Sequence, residues 1–102
     1  MPASGNFVIP RSHPALAGHF PANPVVPGVV ILDEVFDTLA THMPDAEVVG
    51  LASVKFLVPL KPDILVRVEL LEKSDSLVEF CCYCEAQKVA LGQIKVIHKA
   101  TE

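Results

Sequence analysis

Tryptophan is absent from this chain of 102 residues, and tyrosine occurs once, at Tyr83. That scarcity excludes an aromatic platform on which bases or sugars could stack. Positive charge is also in short supply. Eight Lys and Arg face twelve Asp and Glu, for a net charge of −4. Phosphate binding ordinarily needs a basic face, so no nucleic-acid partner is expected. No apolar run approaches the roughly 18 residues of a membrane span. The opening Met1-Pro2-Ala3-Ser4-Gly5-Asn6 lacks the charged-then-apolar layout of a secretory signal. A cytoplasmic location without a membrane span is the resulting expectation. Cysteine is limited to Cys81, Cys82 and Cys84, an odd and clustered set unlike a disulfide scaffold. On a strand Cys82 and Cys84 would point one way and Cys81 the other. No zinc-spaced Cys or His pair follows. The expectation is therefore no metal and no cofactor, with reduced, buried thiols.

What is plentiful is apolar residue, at 51% against 20% charged, which excludes extensive disorder. The length allows one domain over 1–102. A chain of this size buries only about two-thirds of its unfolded surface, so assembly into an oligomer is expected. Five of the nine prolines (Pro10, Pro14, Pro21, Pro24 and Pro27) fall between positions 10 and 27. Each fixes φ and removes a donor, which predicts a stiff, irregular loop around Gly18, His19 and Phe20. A stiff loop can hold a histidine in place, as a site requires, or it can be a plain connector.

A helix is predicted over Pro27 to Met43, with Pro27 at its first position and Pro44 ending it. Val29, Leu32, Val35, Phe36, Leu39, Ala40 and Met43 recur at helical spacing and form one stripe. Asp33 falls at the edge of that stripe, whereas Glu34 should face water. Val26 cannot cap the helix through its side chain and Gly28 has none, so the first amides lack an obvious partner. A bare helix start can polarise a carbonyl or bind an anion, although water or the loop can also satisfy it.

From Ala46 the apolar period changes to two. Val48, Gly50, Ala52, Val54, Phe56 and Val58 share one face of a long strand. After a turn at Lys61-Pro62-Asp63, the residues Ile64, Val66, Val68 and Leu70 line a second strand. Following another turn at Lys73 to Ser76, strands are expected over Leu77 to Gln87 and Val89 to Lys99. Phe7-Val8-Ile9 adds a short first strand. One helix must cover the apolar face of this antiparallel sheet, which predicts an α+β fold with the sheet wrapped around a central helix.

The loop and helix start read Gly18-His19-Phe20-Pro21-Ala22-Asn23-Pro24-Val25-Val26-Pro27-Gly28, with Asp33 fourteen positions after His19. This block resembles the signature of the 3-hydroxyacyl-ACP dehydratases, which have the hot-dog fold. Lys55-Phe56-Leu57-Val58-Pro59-Leu60-Lys61-Pro62-Asp63 resembles the family's second block. The likeness spans positions 7 to 98. The compact size and the His13 to His19 lead-in also resemble the small dehydratases of aryl-polyene and related pigment pathways. Ala22 stands where the family commonly has glycine, and Lys61-Pro62-Asp63 replaces a more usual Pro-Gly-Asp.

The resemblance implies His19 as catalytic histidine and Asp33 as catalytic acid. It implies Gly28 as the residue whose amide polarises the thioester carbonyl, with Val29 and Phe20 beside the substrate. The chemistry suits these types. Eliminating water from a 3-hydroxyacyl thioester needs a base at C2 and an acid at the departing hydroxyl. Imidazole titrates near neutral pH, and partial burial beside Phe36 and Ala40 would keep Asp33 protonated. The resemblance further implies a homodimer or higher even-numbered oligomer, with histidine and acid supplied by different chains. An acyl carrier protein would dock at the mouth, with Arg11, Lys55, Lys61 and Arg67 as candidate cations. A hot-dog thioesterase and a non-catalytic partner subunit in a hetero-oligomer are the alternatives. His13 reads as a loop-packing residue.

Overall fold

Strict alternation in the central strands builds the core. A computed structural model describes residues 3–16 and 24–99. Its elements are β1 (Ala3–Val8), a 3₁₀ turn (Pro14–Leu16), α1 (Gly28–His42), β2 (Ala46–Phe56), β3 (Leu65–Ser74), β4 (Leu77–Cys84) and β5 (Gln87–His98). The strands form one sheet in the order β1-β3-β4-β5-β2, with every neighbouring pair antiparallel. The expected α+β architecture, one helix against an antiparallel sheet, is therefore what the chain adopts. Several boundaries differ. The long strand β2 ends at Phe56 and not Val58, and β3 runs from Leu65 to Ser74, which leaves Ile64, expected on its inner face, exposed ahead of the strand and takes Lys73 and Ser74 out of the expected turn. The first strand starts at Ala3 and not Phe7. The strand from Leu77 stops at Cys84, before a turn in which Glu85 has φ 54°, and β5 starts at Gln87.

Val66, Val68 and Leu70 on β3, Val78, Phe80 and Cys82 on β4, and Ala90, Ile94 and Val96 on β5 all point inward and are at most 1% exposed. Each fully buried Val, Leu, Ile or Phe contributes roughly 1.5–3 kcal/mol. The opposite face carries polar groups such as Arg67, Glu69 and Lys95. There the Arg67 Nε donates to Glu69 Oε2 at 3.0 Å, and its guanidinium lies 4.7 Å from the Tyr83 ring centre. As the strand period requires, Cys84 packs against the same core as Cys82. Cys82 faces the core, but Cys81 and Cys84 are only half-buried, so the expectation of buried thiols holds for Cys82 alone.

Helix α1 is rotated from the expected stripe. Its buried residues are Val30, Ile31, Val35 and Leu39. Val29, placed in the stripe by spacing, is 67% exposed, and Ala40 is also exposed. The cause is geometric. Apolar residues occupy more than half of the helix circumference, so periodicity alone does not choose which part meets the sheet. Packing against the buried inner face of the sheet selects the arc centred on Val35.

Strand β2 lies at the edge of the sheet and departs furthest from simple alternation. Its pairing with β5 shifts register between Val48 and Gly50 and again between Leu51 and Ser53. Such bulges raise the local twist and curl the sheet around α1. The second presses the Ser53 carbonyl onto Gly92, where an added Cβ would meet that oxygen and the Phe80 ring. Glycine is therefore required at that crossing. Ala52 and Phe56, expected on the inner face, are consequently exposed.

Candidate functional site

Pro27 sets up the start of α1. It is the N-cap residue, in extended conformation at φ −61° and ψ 146°, and Gly28 is the first helical residue. The Pro27 carbonyl accepts from Val30 N–H at 3.0 Å and Ile31 N–H at 3.4 Å. No side chain caps this end. The amides of Gly28 and Val29 therefore form the uncapped tip anticipated from Val26 and Gly28, carrying the positive end of the helix dipole. The preceding chain is fixed by Val26 N–H donating to Leu60 O at 2.8 Å, which ties the approach to α1 to the segment after β2.

That tie makes a cavity of about 400 Å³ at the tip of α1, walled by Val25, Val26, Ile31, Leu57, Val58 and Leu60 and bordered by Gly28 and Phe56. The ring of Phe56 rests against Gly28. An added Cβ there would stand 2.6 Å from Cζ and 2.8 Å from Cε2. Sequence reasoning placed Phe56 on the inner face of a strand and missed this contact. Its only signal was that Phe56 belongs to the second family block while Gly28 belongs to the first.

The two helix acids exchange the environments expected of them. Asp33 is exposed, one and a half turns along α1 from Gly28, or about 7.5 Å of helix rise. Glu34, expected to face water, is half-buried. Burial pushes its carboxyl above the ordinary glutamate range, aided by the negative charges of Asp37 and Asp33 and opposed by His13. The rotation of α1 explains both placements. The arc that turns Val30 inward draws Glu34 toward the fold and carries Asp33 outward with Val29 and Ala40. The burial of Asp33 expected beside Phe36 and Ala40 is absent from the single chain.

His13 behaves as a packing residue. Its Nδ1 accepts from Ala15 N–H at 3.0 Å, which holds the loop turn at Pro14–Leu16. His19 and Phe20, the implied catalytic histidine and its neighbour, lie outside the described residues. Of the candidate docking cations, Arg11 donates its backbone N–H to Asp63 Oδ1 at 3.1 Å and sits beside the same carboxylate, while Arg67 pairs with Glu69. Lys55 and Lys61 are exposed and form no ion pair among the described residues. No group of three or more metal-ligating side chains occurs among the described residues. No helix there is long and apolar enough to cross a membrane.

Comparison with known proteins gives this geometry its context. Residues 2–93 match the ApeI-like family, described as ApeI dehydratase. A 3-hydroxyacyl-[acyl-carrier-protein] dehydratase FabZ of Bartonella bacilliformis is 30% identical over 96 residues, covering 83% of this chain and 62% of that protein. The chain thus spans less than two-thirds of the length of the curated relatives it matches. Among solved structures, the dehydratase heterocomplex ApeI:P from Xenorhabdus doucetiae superposes with a TM-score of 0.83 at 25% identity, covering 95% of this chain and 88% of that one. A fluoroacetyl-CoA thioesterase shares the fold at a TM-score of 0.66 and 17% identity, covering 96% and 87% of the two chains. With the match extending over nearly the whole sequence, the chain is a hot-dog protein and belongs to the ApeI-like dehydratase family.

Proposed function

We propose that this protein dehydrates (3R)-3-hydroxyacyl thioesters carried on an acyl carrier protein to the trans-2-enoyl thioesters, in fatty-acid or aryl-polyene-type lipid synthesis. The observation that carries the reading is the uncapped tip at Gly28 beside an apolar cavity, with Asp33 exposed one and a half turns along the same helix, in a chain of a dehydratase family. The Gly28 amide donates to the thioester oxygen and stabilises the enolate that develops there. His19 removes the proton from C2. The electron pair forms the C2–C3 double bond as the C3–O bond breaks, and Asp33 gives its proton to the departing hydroxyl, which leaves as water. Proton exchange with solvent restores both groups. Val29 and Phe20 flank the substrate, and no cofactor takes part.

Asp33 works as an acid only if it is held protonated, and in the single chain it faces solvent. A second chain supplies the missing burial. The outward arc of α1 presents Val29, Asp33 and Ala40, and the outer edge of β2 presents Val49, Leu51 and Phe56. Exposed apolar groups of this extent mark an interface, and an unpaired edge strand is a template for another. Pairing there covers Asp33 and brings it to His19 of the neighbouring chain. The two chains are copies of one sequence or, as in the named ApeI:P heterocomplex, of two. In the second case this chain is active only with its partner.

The test is a dehydratase assay on 3-hydroxyacyl carrier protein. His19→Ala and Asp33→Asn are each expected to lose activity by at least about a hundredfold, the low end for a positioned acid or base. Full activity in either variant removes that residue from the mechanism. Release of free thiol without enoyl product replaces the reading with a thioesterase.

A further inference from the structure

We infer that the ring of Phe56 sets the width of the acyl site beside the Gly28 amide, so that it accepts unbranched 3-hydroxyacyl thioesters and rejects those with a methyl group on C2. The inference rests on the proposed reaction and adds a specificity residue to it. The ring stands so close to Gly28 that the position of one methyl-sized atom is already occupied by Cζ and Cε2, at 2.6 and 2.8 Å. The ring is nevertheless 47% exposed and borders the adjoining cavity. Among the described residues, none bordering the adjoining cavity is ionisable, which suits a neutral acyl group. A thioester oxygen held by the Gly28 N–H sits about 2.9 Å from the nitrogen. The carbon next to the carbonyl is then within a few ångströms of the same backbone, and any substituent on it competes with the ring for space.

Geometry also explains why position 28 is glycine. Alanine is ordinarily favoured over glycine in a helix. Here its methyl group would stand 2.6 Å from Cζ of Phe56, so the ring would have to move to admit it.

Two measurements test the inference. The first compares kcat/KM for 3-hydroxybutyryl and 2-methyl-3-hydroxybutyryl carrier protein in the wild type and in Phe56→Ala and Phe56→Leu. Removing the ring should raise the branched-to-unbranched ratio by about tenfold or more, the usual worth of one methyl group in a fitted pocket. An unchanged ratio in both variants overturns the inference. The second is a thermal-unfolding cycle that needs no activity. Gly28→Ala should lower the midpoint when Phe56 is present and raise it in the Phe56→Ala background. Equal shifts in the two backgrounds would show that the ring does not press on Gly28 and would likewise overturn it. A wild type that dehydrates neither thioester, alone or with its partner chain, refutes the proposed function, while the thermal cycle still reports on the pair.

Discussion

In β3 and β4 alternate residues are buried completely, from Val66 through Phe80 to Cys82; on the other face Arg67 pairs with Glu69, and the exposed apolar residues Leu65 and Leu71 lie toward the ends of β3. Along β2 and the outer arc of α1 the same abundance of apolar residue is left in solvent: Val29 is 67% exposed and Val49 56%. The centre of the sheet is satisfied by contacts within one chain. The flank is not: Val29 and Asp33 stand on the exposed arc of α1 that starts at Gly28, and Phe56 ends β2 against Gly28, where the proposed chemistry lies. Apolar pattern thus serves two purposes in this molecule, one closed within the fold and one directed outward.

The comparison breaks most visibly in the core. Phe80→Ala should cost about 3–5 kcal/mol in denaturant unfolding. Val29→Ser, measured where the chain is monomeric, should change stability by no more than about 0.5 kcal/mol. Comparable losses would mean that the flank is as much a part of the single-chain fold as the centre. Next in size, the double change Val49→Lys and Leu51→Lys should weaken self-association by at least about tenfold in sedimentation, because charges placed on an apolar edge oppose pairing. An unchanged sedimentation profile would take β2 out of the interface.

Within β4 the contrast narrows to neighbouring thiols. Burial, reinforced by Cys81 and Cys84, pushes the Cys82 thiol up to about 12. Alkylation follows the thiolate, so native protein at pH 8 should label at Cys81 and leave Cys82 unlabelled until it is unfolded. Prompt labelling of Cys82 in mass spectra of the native protein would show that the centre is open.

The smallest effect belongs to Glu34. Its folded pKa lies above the unfolded value, chiefly through burial, so ionisation opposes folding. That opposition is fully present above the folded pKa and vanishes below the ordinary glutamate pKa of about 4.3. Glu34→Gln should therefore raise the unfolding midpoint slightly at pH 7 and not at pH 3.5. A gain of equal size at both pH values would assign the effect to something other than charge.

Much of this was legible in the residues. Proline and period marked α1 to within one residue at each end, and alternation in Val66, Val68 and Leu70 identified the inner face of β3. Val26 and Gly28 foretold the bare helix tip. Three features were not legible, each because it depends on contacts distant in the chain. The rotation of α1, which exposes Asp33 and shelters Glu34, is decided by the sheet against which it packs. The β2 bulges follow from curling the sheet around the helix, and spacing does not reveal them. The meeting of Phe56 with Gly28 joins two segments 28 positions apart.

The central claim is that acid and base reach one site from different chains. Mixing His19→Ala and Asp33→Asn proteins after subunit exchange tests it most directly. Each variant alone should be inactive. If the site is shared, a mixed dimer regains one intact site of two, and random exchange should recover about a quarter of wild-type activity. A mixture as inactive as its separate components, with subunit exchange confirmed, would contradict the account.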